Sequence, residues 1–374
     1  MKILICFGTR PEAIKMAPVI HELYRNELDF EICVSAQHRE MLDQVLEFFE
    51  ITPDYDLNLM KTGQSLNGLS AAIFSKIDEV LHKSQPDIVL VHGDTTTASI
   101  IAQAAFHMQI KVAHVEAGLR TYNKHAPFPE EINRQIIGKV ADFHFAPTAQ
   151  AKLNLLNEHI QDEQIVVTGN TIVDSLQWAI KKMNDLPLSD EIEKFIDLLS
   201  DTKKWILVTG HRRENFGKGL EDICEALLEI SLDKQVEIIY TVHLNPNVVS
   251  TVEKMLRNQD NIHLVSPVSY PTMLWLMKKS SLIISDSGGI QEEAPAFGKP
   301  ILVTRNVSER MEGVEAGYAV LTGTNKFKII EETCRLLKNP PNFAGKENPF
   351  GDGKASNRIA DFLIAQERAS KSQA

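Results

Sequence analysis

The sequence predicts an α/β protein built from two doubly wound, Rossmann-like domains. Short apolar runs rich in β-branched residues alternate with longer helical patterns along almost the whole chain, which is typical of βαβ units on a parallel sheet. The length of 374 residues exceeds that of one ordinary domain. A charged stretch at about 186–204 separates two series of predicted strands.

The first series runs from the start of the chain to about residue 167. Its strands are expected at 2–7, 30–34, 87–91, 111–115, 143–146 and 165–167, and its helices at 11–25, 39–48, 65–84, 95–107, 130–141 and 148–157. The second series has strands at 205–208, 236–241, 262–265, 282–285 and 301–303, and a last helix is expected at 356–369. We therefore expect domains at 1–169 and 170–353, with 354–374 as a helix that packs back on the first domain.

Charge and composition exclude several classes of protein. Lys and Arg number 39 against 50 Asp and Glu, a net charge of −11, which argues against affinity for a nucleic-acid backbone. No run approaches 18 apolar residues, so no membrane span is expected. The four cysteines have no CxxC spacing and the N-terminal apolar run is too short for a signal peptide. We expect a cytoplasmic protein with free thiols.

Cationic side chains and glycines follow several predicted strands, at the end where parallel sheets bind their ligands. Arg10 and Lys15 follow the first strand, His211 follows the strand at 205–208, and Ser287-Gly288-Gly289 opens a helix. Backbone N–H groups and arginines in such places bind phosphate. The G-x-G-x-x-G and P-loop spacings are absent, which argues against a nicotinamide dehydrogenase or an ATPase.

Carboxylates lie at the same strand ends. Asp94, Glu116 and Glu130 beside a phosphate site indicate acid/base chemistry on a sugar or another polyol. Glu130 and Glu131 could instead simply begin a helix, where negative charge is favourable. A metal site made of His92, Asp94, His114 and Glu116 is disfavoured, because no HExxH motif is present and the histidines should lie deeper in the strands.

Six segments together resemble the non-hydrolysing bacterial UDP-N-acetylglucosamine 2-epimerases, and the resemblance extends from residue 1 to about 360. The segments are Gly8-Thr9-Arg10-Pro11-Glu12-Ala13-Ile14-Lys15-Met16-Ala17-Pro18, His92-Gly93-Asp94-Thr95, His114-Val115-Glu116-Ala117-Gly118-Leu119-Arg120, Pro129-Glu130-Glu131, Gly210-His211-Arg212-Arg213-Glu214-Asn215 and Asp286-Ser287-Gly288-Gly289-Ile290-Gln291-Glu292-Glu293. The resemblance implies the glycosyltransferase-B architecture, in which two Rossmann-like domains face each other across a cleft.

The resemblance implies that UDP-N-acetylglucosamine and UDP-N-acetylmannosamine are interconverted, through elimination of UDP to a 2-acetamidoglucal and its re-addition with inversion at C2. It makes Asp94, Glu116 and Glu130 the essential carboxylates, without deciding which acts on which face, and adds His211 to the catalytic set. The substrate is expected to contact Asp94 and Glu116 as well. The diphosphate and neighbouring groups would meet Arg10, Lys15, His211, Ser287, Gly288, Gly289 and Arg310, and Glu293 would hold the ribose.

The chain departs from the family pattern in two places. Gln37 and His38 match the motif of an allosteric substrate site found in Gram-positive relatives, whereas Glu40 and Gly63 replace a glutamine and an arginine of that site. Met273 stands where relatives often carry an aromatic residue, and Val268 lies near an expected glutamine. The resemblance further implies a homodimer that needs no metal and no other cofactor.

Three other functions remain as alternatives. A hydrolysing relative would release UDP and free N-acetylmannosamine. A sugar-nucleotide glycosyltransferase is compatible with the same fold and would require an acceptor. A UDP-sugar sensor without catalysis is disfavoured, because three carboxylates in a binding-only pocket would repel the diphosphate.

Overall fold

The fold consists of two parallel sheets flanked by helices, as seen in a computed structural model that describes residues 1–35, 39–59, 63–210 and 212–373. The predicted α/β class is confirmed. By contacts the chain divides into a first unit, Met1–Trp178 with Phe350–Ala374, and a second unit, Ala179–Pro349.

The described part of the first unit contains the strands β1 to β7 and the helices α1 to α6, together with the first half of α7, which continues into the second unit. The strands are β1 Ile3–Phe7, β2 Phe30–Val34, β3 Tyr55–Asp56, β4 Ile88–His92, β5 Lys111–Val115, β6 Phe143–Ala146 and β7 Ile165–Val167. The helices are α1 Arg10–Arg25, α2 Arg39–Phe48, α3 Leu66–Ser84, α4 Thr96–His107, α5 Glu130–Val140, α6 Ala149–Asn157 and α7 Thr171–Asp185.

Six strands lie in the described part of the second unit, and α15, near the end of the chain, returns to the first unit. The strands are β8 Lys204–Gly210, β9 Val236–Val242, β10 Ile262–Val265, β11 Leu282–Ser285, β12 Ile301–Val303 and β13 Ala319–Leu321. The helices are α8 Asp190–Leu198, α9 Lys218–Ile230, α10 Pro246–Leu256, α11 Tyr270–Lys279, α12 Gly288–Glu293, α13 Met311–Glu315, α14 Lys326–Lys338 and, in the first unit, α15 Ala355–Gln373.

The first unit ends later than the 1–169 boundary expected from the sequence, because the first half of α7 packs on it. Ser175 donates a hydrogen bond to the backbone oxygen of Ile14 at 2.5 Å. The Trp178 ring lies 4.9 Å from that of Phe49, centre to centre. The unit resumes at Phe350 rather than at residue 354.

The sheet of the first unit has the order β3-β2-β1-β4-β5-β6-β7, and its strands are parallel. All five residues of β1 are buried, because helices cover both faces of a doubly wound sheet. The order of strands reverses between β1 and β4, and ligands of such sheets bind at that reversal, beyond the carboxyl ends of the strands. The loops that follow these two strands begin at Gly8 and Gly93.

The second sheet has the order β10-β9-β8-β11-β12-β13 and reverses in the same way between β8 and β11. Its apolar core includes Ile206, Ile238, Leu282 and Leu302, which come from four adjacent strands. The loops that follow β8 and β11 therefore meet at the reversal of this second sheet. Within the described residues, no helix is long and apolar enough to cross a membrane.

Candidate functional site

Asp94 and Glu116 lie at the carboxyl ends of two adjacent parallel strands. Glu116 directly follows β5, and Asp94 follows β4 after one glycine, with the last residue of β4 in register with the last of β5. A Cβ atom added to Gly93 would lie 3.9 Å from Oε1 of Glu116. The Glu116 carboxylate thus lies over the turn that leads into Asp94.

The backbone at Glu116 adopts a left-handed conformation, with φ at 64°. This costs a residue with a Cβ atom about 1–2 kcal/mol relative to ordinary backbone. A glycine at this position would adopt the same conformation without strain. Here the conformation aims a carboxylate, which glycine lacks, into the turn after β4.

The carboxylate of Glu116 is enclosed by donors. It forms an ion pair with the Lys15 ammonium and accepts a hydrogen bond from the Asn170 amide at 3.3 Å. His92 Nε2 lies 3.8 Å from the same oxygen. Because Lys15 and Glu116 are both buried, each supplies the opposite charge that the other needs out of water.

Asp94 has its own cation. Its carboxylate pairs with the guanidinium of Arg134, and its backbone oxygen accepts from the side-chain amide of Asn133 at 2.9 Å. Both partners lie on α5. Two carboxylates and two cations therefore form a group that we call the strand-end cluster. Its members are Lys15, Asp94, Glu116 and Arg134.

Two consecutive glutamates begin α5, and they lie in different environments. Glu130 is the first residue of the helix and half-buried. Glu131 is fully buried and accepts hydrogen bonds from the backbone N–H groups of Thr121 and Tyr122, both at 3.0 Å. Glu131 therefore binds the loop after β5 rather than merely complementing the helix dipole.

Glu12 connects the loops after β1 and β4. Its carboxylate accepts from the backbone N–H groups of Gly8 and Thr9 at 3.1 and 2.8 Å, and from the hydroxyl of Thr95 at 2.8 Å. Burial raises its pKa to about 7, although these hydrogen bonds act in the opposite direction. Glu12 holds Thr9, the residue before Arg10, and Thr95, the residue after Asp94.

Two buried histidines lie deeper in the sheet, on β5 and β6. His114 Nε2 lies 2.7 Å from the backbone oxygen of Gly93, which accepts only, so the ring proton is on Nε2. Burial lowers the pKa of His114 to about 3 and that of its register partner His144 to about 4. Both rings are therefore neutral at pH 7, and His114 supports the turn that leads into Asp94.

In the second unit, Ser287, Gly288 and Gly289 form a turn at the end of β11, which we call the glycine turn; α12 begins within it. A Cβ atom at Gly288 would lie 2.7 Å from Cζ of Arg310, so only glycine admits the guanidinium there. Arg310 pairs with Glu309 and with Glu292, the latter at 2.7 Å.

The glycine turn is tied to the loop after β8. Asp286 accepts from the backbone N–H of Arg212 and from the side-chain amide of Asn215, both at 3.0 Å. Glu293, expected to hold the ribose, is buried at the end of α12. Arg10 is half-buried at the start of α1.

The described residues include most, but not all, of the predicted site. Gln37, His38 and His211 lie outside them. In the ranges that the structure describes, no group of three or more His, Cys, Asp or Glu side chains is arranged to hold a metal ion.

The residues that the sequence did not single out are Arg134, Asn133, Asn170 and Glu131 as a loop anchor. An arginine and an asparagine in an amphipathic helix look like surface residues, and only packing buries Arg134 and brings Asn133 to Asp94. Glu12 carried a usable signal, because Thr9 and Glu12 have the spacing of a capping box.

Comparison with known proteins identifies relatives along the whole chain. The UDP-N-acetylglucosamine 2-epimerase family profile matches residues 21–364. The UDP-N-acetylglucosamine 2-epimerase of Campylobacter jejuni is 50% identical over 372 residues, which cover 97% of each chain.

Solved structures agree with these sequence matches. The crystal structure of UDP-GlcNAc 2-epimerase from Neisseria meningitidis bound to UDP-GlcNAc is 46% identical, with a TM-score of 0.94 over 98% of this chain and 100% of that one. The Methanocaldococcus jannaschii UDP-GlcNAc 2-epimerase in complex with UDP-GlcNAc and UDP is 35% identical, with a TM-score of 0.86 over 98% and 100% of the two chains.

Proposed function

The chain belongs to the UDP-N-acetylglucosamine 2-epimerase family, and we propose which of its side chains carry out the reaction of that family. It is an isomerase that interconverts UDP-N-acetylglucosamine and UDP-N-acetylmannosamine. UDP is eliminated to give a 2-acetamidoglucal and is added back with inversion at C2.

The chemistry requires two kinds of group. The C2 proton is not adjacent to a carbonyl of the ring, so departure of UDP from C1 must precede or accompany its removal. Positive charge and hydrogen-bond donors stabilise the negative charge that develops on the departing diphosphate. Inversion requires that the proton leaves one face of C2 and returns to the other, so two separate proton-handling groups are needed.

We assign the proton transfers to Asp94, Glu116 and Glu130. The observation that carries this assignment is the strand-end cluster, in which two carboxylates from adjacent strands are each paired with a buried cation. Glu130 begins the helix whose next turn carries Arg134, the cation beside Asp94.

We assign UDP to the glycine turn and to a set of cationic side chains. The diphosphate is assigned to Arg10, Lys15, His211, Ser287, Gly288, Gly289 and Arg310. The ribose is assigned to Glu293. His211 also belongs to the proposed catalytic set. The approach of Arg310 to Gly288 supports the assignment, since it brings a guanidinium to backbone N–H groups at the start of a helix.

Three further assignments complete the proposal, the first two from the family resemblance and the third from the sequence composition. We propose a second substrate site that includes Gln37 and His38, assembly as a homodimer, and a cytoplasmic location. No metal or other cofactor and no nucleic acid or membrane partner enters the proposed reaction.

Incubation of the purified protein with UDP-N-acetylglucosamine in D2O tests the reaction. The product should carry deuterium at C2 in proton NMR. An isotopic label in the oxygen bridging C1 and the β-phosphate should move to non-bridging positions, because free UDP can rotate before it is added back. Deuterium without label exchange would contradict elimination.

The same experiment separates the alternatives. UDP and free N-acetylmannosamine would accumulate only if the protein were a hydrolase, and activity that requires an acceptor would indicate a glycosyltransferase. The variants Asp94→Asn, Glu116→Gln and Glu130→Gln should each lower turnover by about two to four orders of magnitude, as expected for a lost acid/base group. Near-normal turnover in all three would refute the assignment of the carboxylates.

A further inference from the structure

Two acidic side chains and one arginine form a continuous chain that leads from the start of α5 to Asp94. The carboxylate of Glu131 lies 3.3 Å from Nη1 of Arg134, and Nη2 of the same guanidinium pairs with the carboxylate of Asp94. A single planar group thus joins two acids through two different nitrogens.

The Glu131 end of this chain is fixed. Its carboxylate is fully buried and accepts from the backbone of Thr121 and Tyr122 and from the Gln135 amide, at 3.0, 3.0 and 2.9 Å. A buried carboxylate with this many donors has one orientation. Glu131 therefore provides a rigid support for Arg134.

The Asp94 end is held from the same helix. Arg134 binds its side chain and Asn133, the preceding residue, binds its backbone oxygen at 2.9 Å. The side chain of Arg134 is 4% exposed, whereas that of Asp94 is 26% exposed. Asp94 is thus clamped on the protein side and accessible on the other.

We propose that Arg134 is a positioning residue for Asp94 and that Glu131 holds Arg134 in place. The proposal rests on the catalytic role assigned to Asp94 above. An acid/base group contributes to the rate only while it is correctly aimed at the reacting atom, and a misplacement of about 1 Å costs about 10²-fold in rate. Lysine would not replace Arg134 fully, since one ammonium lacks the fork that reaches both carboxylates.

The test compares kcat and KM of R134M, R134K and E131Q with those of D94N. We expect R134M to lower kcat by about 10²-fold and to leave KM for UDP-N-acetylglucosamine within a few-fold. R134K should recover part of the loss. The double variant D94N/R134M should be no slower than D94N alone, because Arg134 acts through Asp94.

The matched control is R120M. Arg120 is another buried arginine of the same unit, paired with Glu158 at 2.6 and 2.9 Å, and its guanidinium lies against Gly138 near the other end of α5. R120M removes a comparable ion pair without touching the strand-end cluster. We expect it to lower the thermal midpoint as much as R134M does and to keep kcat near the wild-type value.

Several results would overturn the proposal. A wild-type kcat in R134M would overturn the positioning role of Arg134, and so would a D94N/R134M double variant much slower than D94N. Either result would leave the epimerase function intact. If R134M does not fold, wild-type kcat in both R134K and E131Q would overturn it equally. Wild-type kcat in D94N would refute the role of Asp94 and this inference with it, whereas a wild-type protein without epimerase activity would refute the proposed function itself.

Discussion

The ammonium of Lys15 forms a buried ion pair with the carboxylate of Glu116, 101 residues away in the chain. Lys15 lies on α1, which follows the first strand, and Glu116 follows the fifth. The family resemblance assigns Lys15 to the diphosphate. The ion pair gives it a second role, in which it compensates the charge of a proposed acid/base group.

Lys15→Met should therefore lower both the stability of the protein and its rate of epimerisation. Removing one partner of a buried pair leaves an uncompensated charge and costs about 3–5 kcal/mol. The double variant Lys15→Met/Glu116→Gln should regain most of the lost thermal stability and none of the turnover. Thermal unfolding and an epimerisation assay measure the two effects, and a double variant less stable than Lys15→Met would contradict the charge argument.

Gly118→Ala should lower both the thermal midpoint and the turnover. The φ of Gly118 is +90°, and a Cβ atom there would lie 2.2 Å from the backbone oxygen of Ala151, so the loop after β5 or the helix α6 must move. Gly317→Ala is the control, because its φ is +80° with no atom within 4 Å of a Cβ, and it should cost only about 1–2 kcal/mol. If Gly118→Ala and Gly317→Ala lowered the thermal midpoint equally, backbone strain alone would explain the destabilisation by Gly118→Ala.

Glu12→Gln should change how stability depends on pH. The folded-state pKa of about 7 lies above the ordinary 4.5, so the unfolded chain releases this proton first. The contribution of Glu12 is complete below pH 4.5 and is lost as pH rises through 7, by about 3 kcal/mol in all. The thermal midpoint of the wild type relative to Glu12→Gln should thus be higher at pH 5 than at pH 8.

The control is Glu22→Gln at the other end of α1, where the side chain lies near the surface beside Arg25. Its midpoint difference from the wild type at the two pH values serves as the baseline. If the Glu12→Gln difference changed no more than this baseline between pH 5 and pH 8, a buried acid that takes up a proton on folding would be excluded.

His144→Leu should make the protein more tolerant of acid. Burial lowers the pKa of His144 from 6.5 to about 4, so its contribution to stability is complete above pH 6.5 and is lost as pH falls through 4. The unfolded chain alone binds the proton in that interval, and leucine abolishes this difference. Melting curves between pH 4 and 7 test this, with the exposed His125→Leu as the control. Parallel pH profiles for the wild type and His144→Leu would contradict it.

The sequence was a good guide to the buried strands. Their runs of apolar, β-branched or aromatic residues predicted β2 at 30–34, β5 at 111–115 and β6 at 143–146, which are the bounds observed. Two short strands were missed. The strand β3, Tyr55–Asp56, contains no apolar run, and β13, Ala319–Leu321, contains only one β-branched residue, whereas the equally short β7 and β12 each contain at least two. By contacts the first unit extends to Trp178, beyond the expected residue 169, because the Trp178 ring packs on Phe49, which no change of composition signals.

The site was predictable as far as strand ends determine it. Asp94 and Glu116 follow adjacent parallel strands, and the rule for open sheets indicates such residues. The partners of these carboxylates come from helices, and nothing in the local sequence distinguishes the buried Arg134 from an arginine at the surface. Its position depends on how α5 packs, which is a property of the tertiary structure.

The first unit is made of two separate stretches of chain, and this affects the order in which the protein folds during synthesis on the ribosome. Residues of α15 complete its core, where Phe362 packs against Phe143 and Phe145 at 5.0 and 5.4 Å between ring centres. Ser356 also donates to Asp174 across 182 positions. The second unit is continuous, so it can close as soon as Pro349 has emerged. We therefore expect the long-range contacts that complete the first unit to form later than those of the continuous second unit.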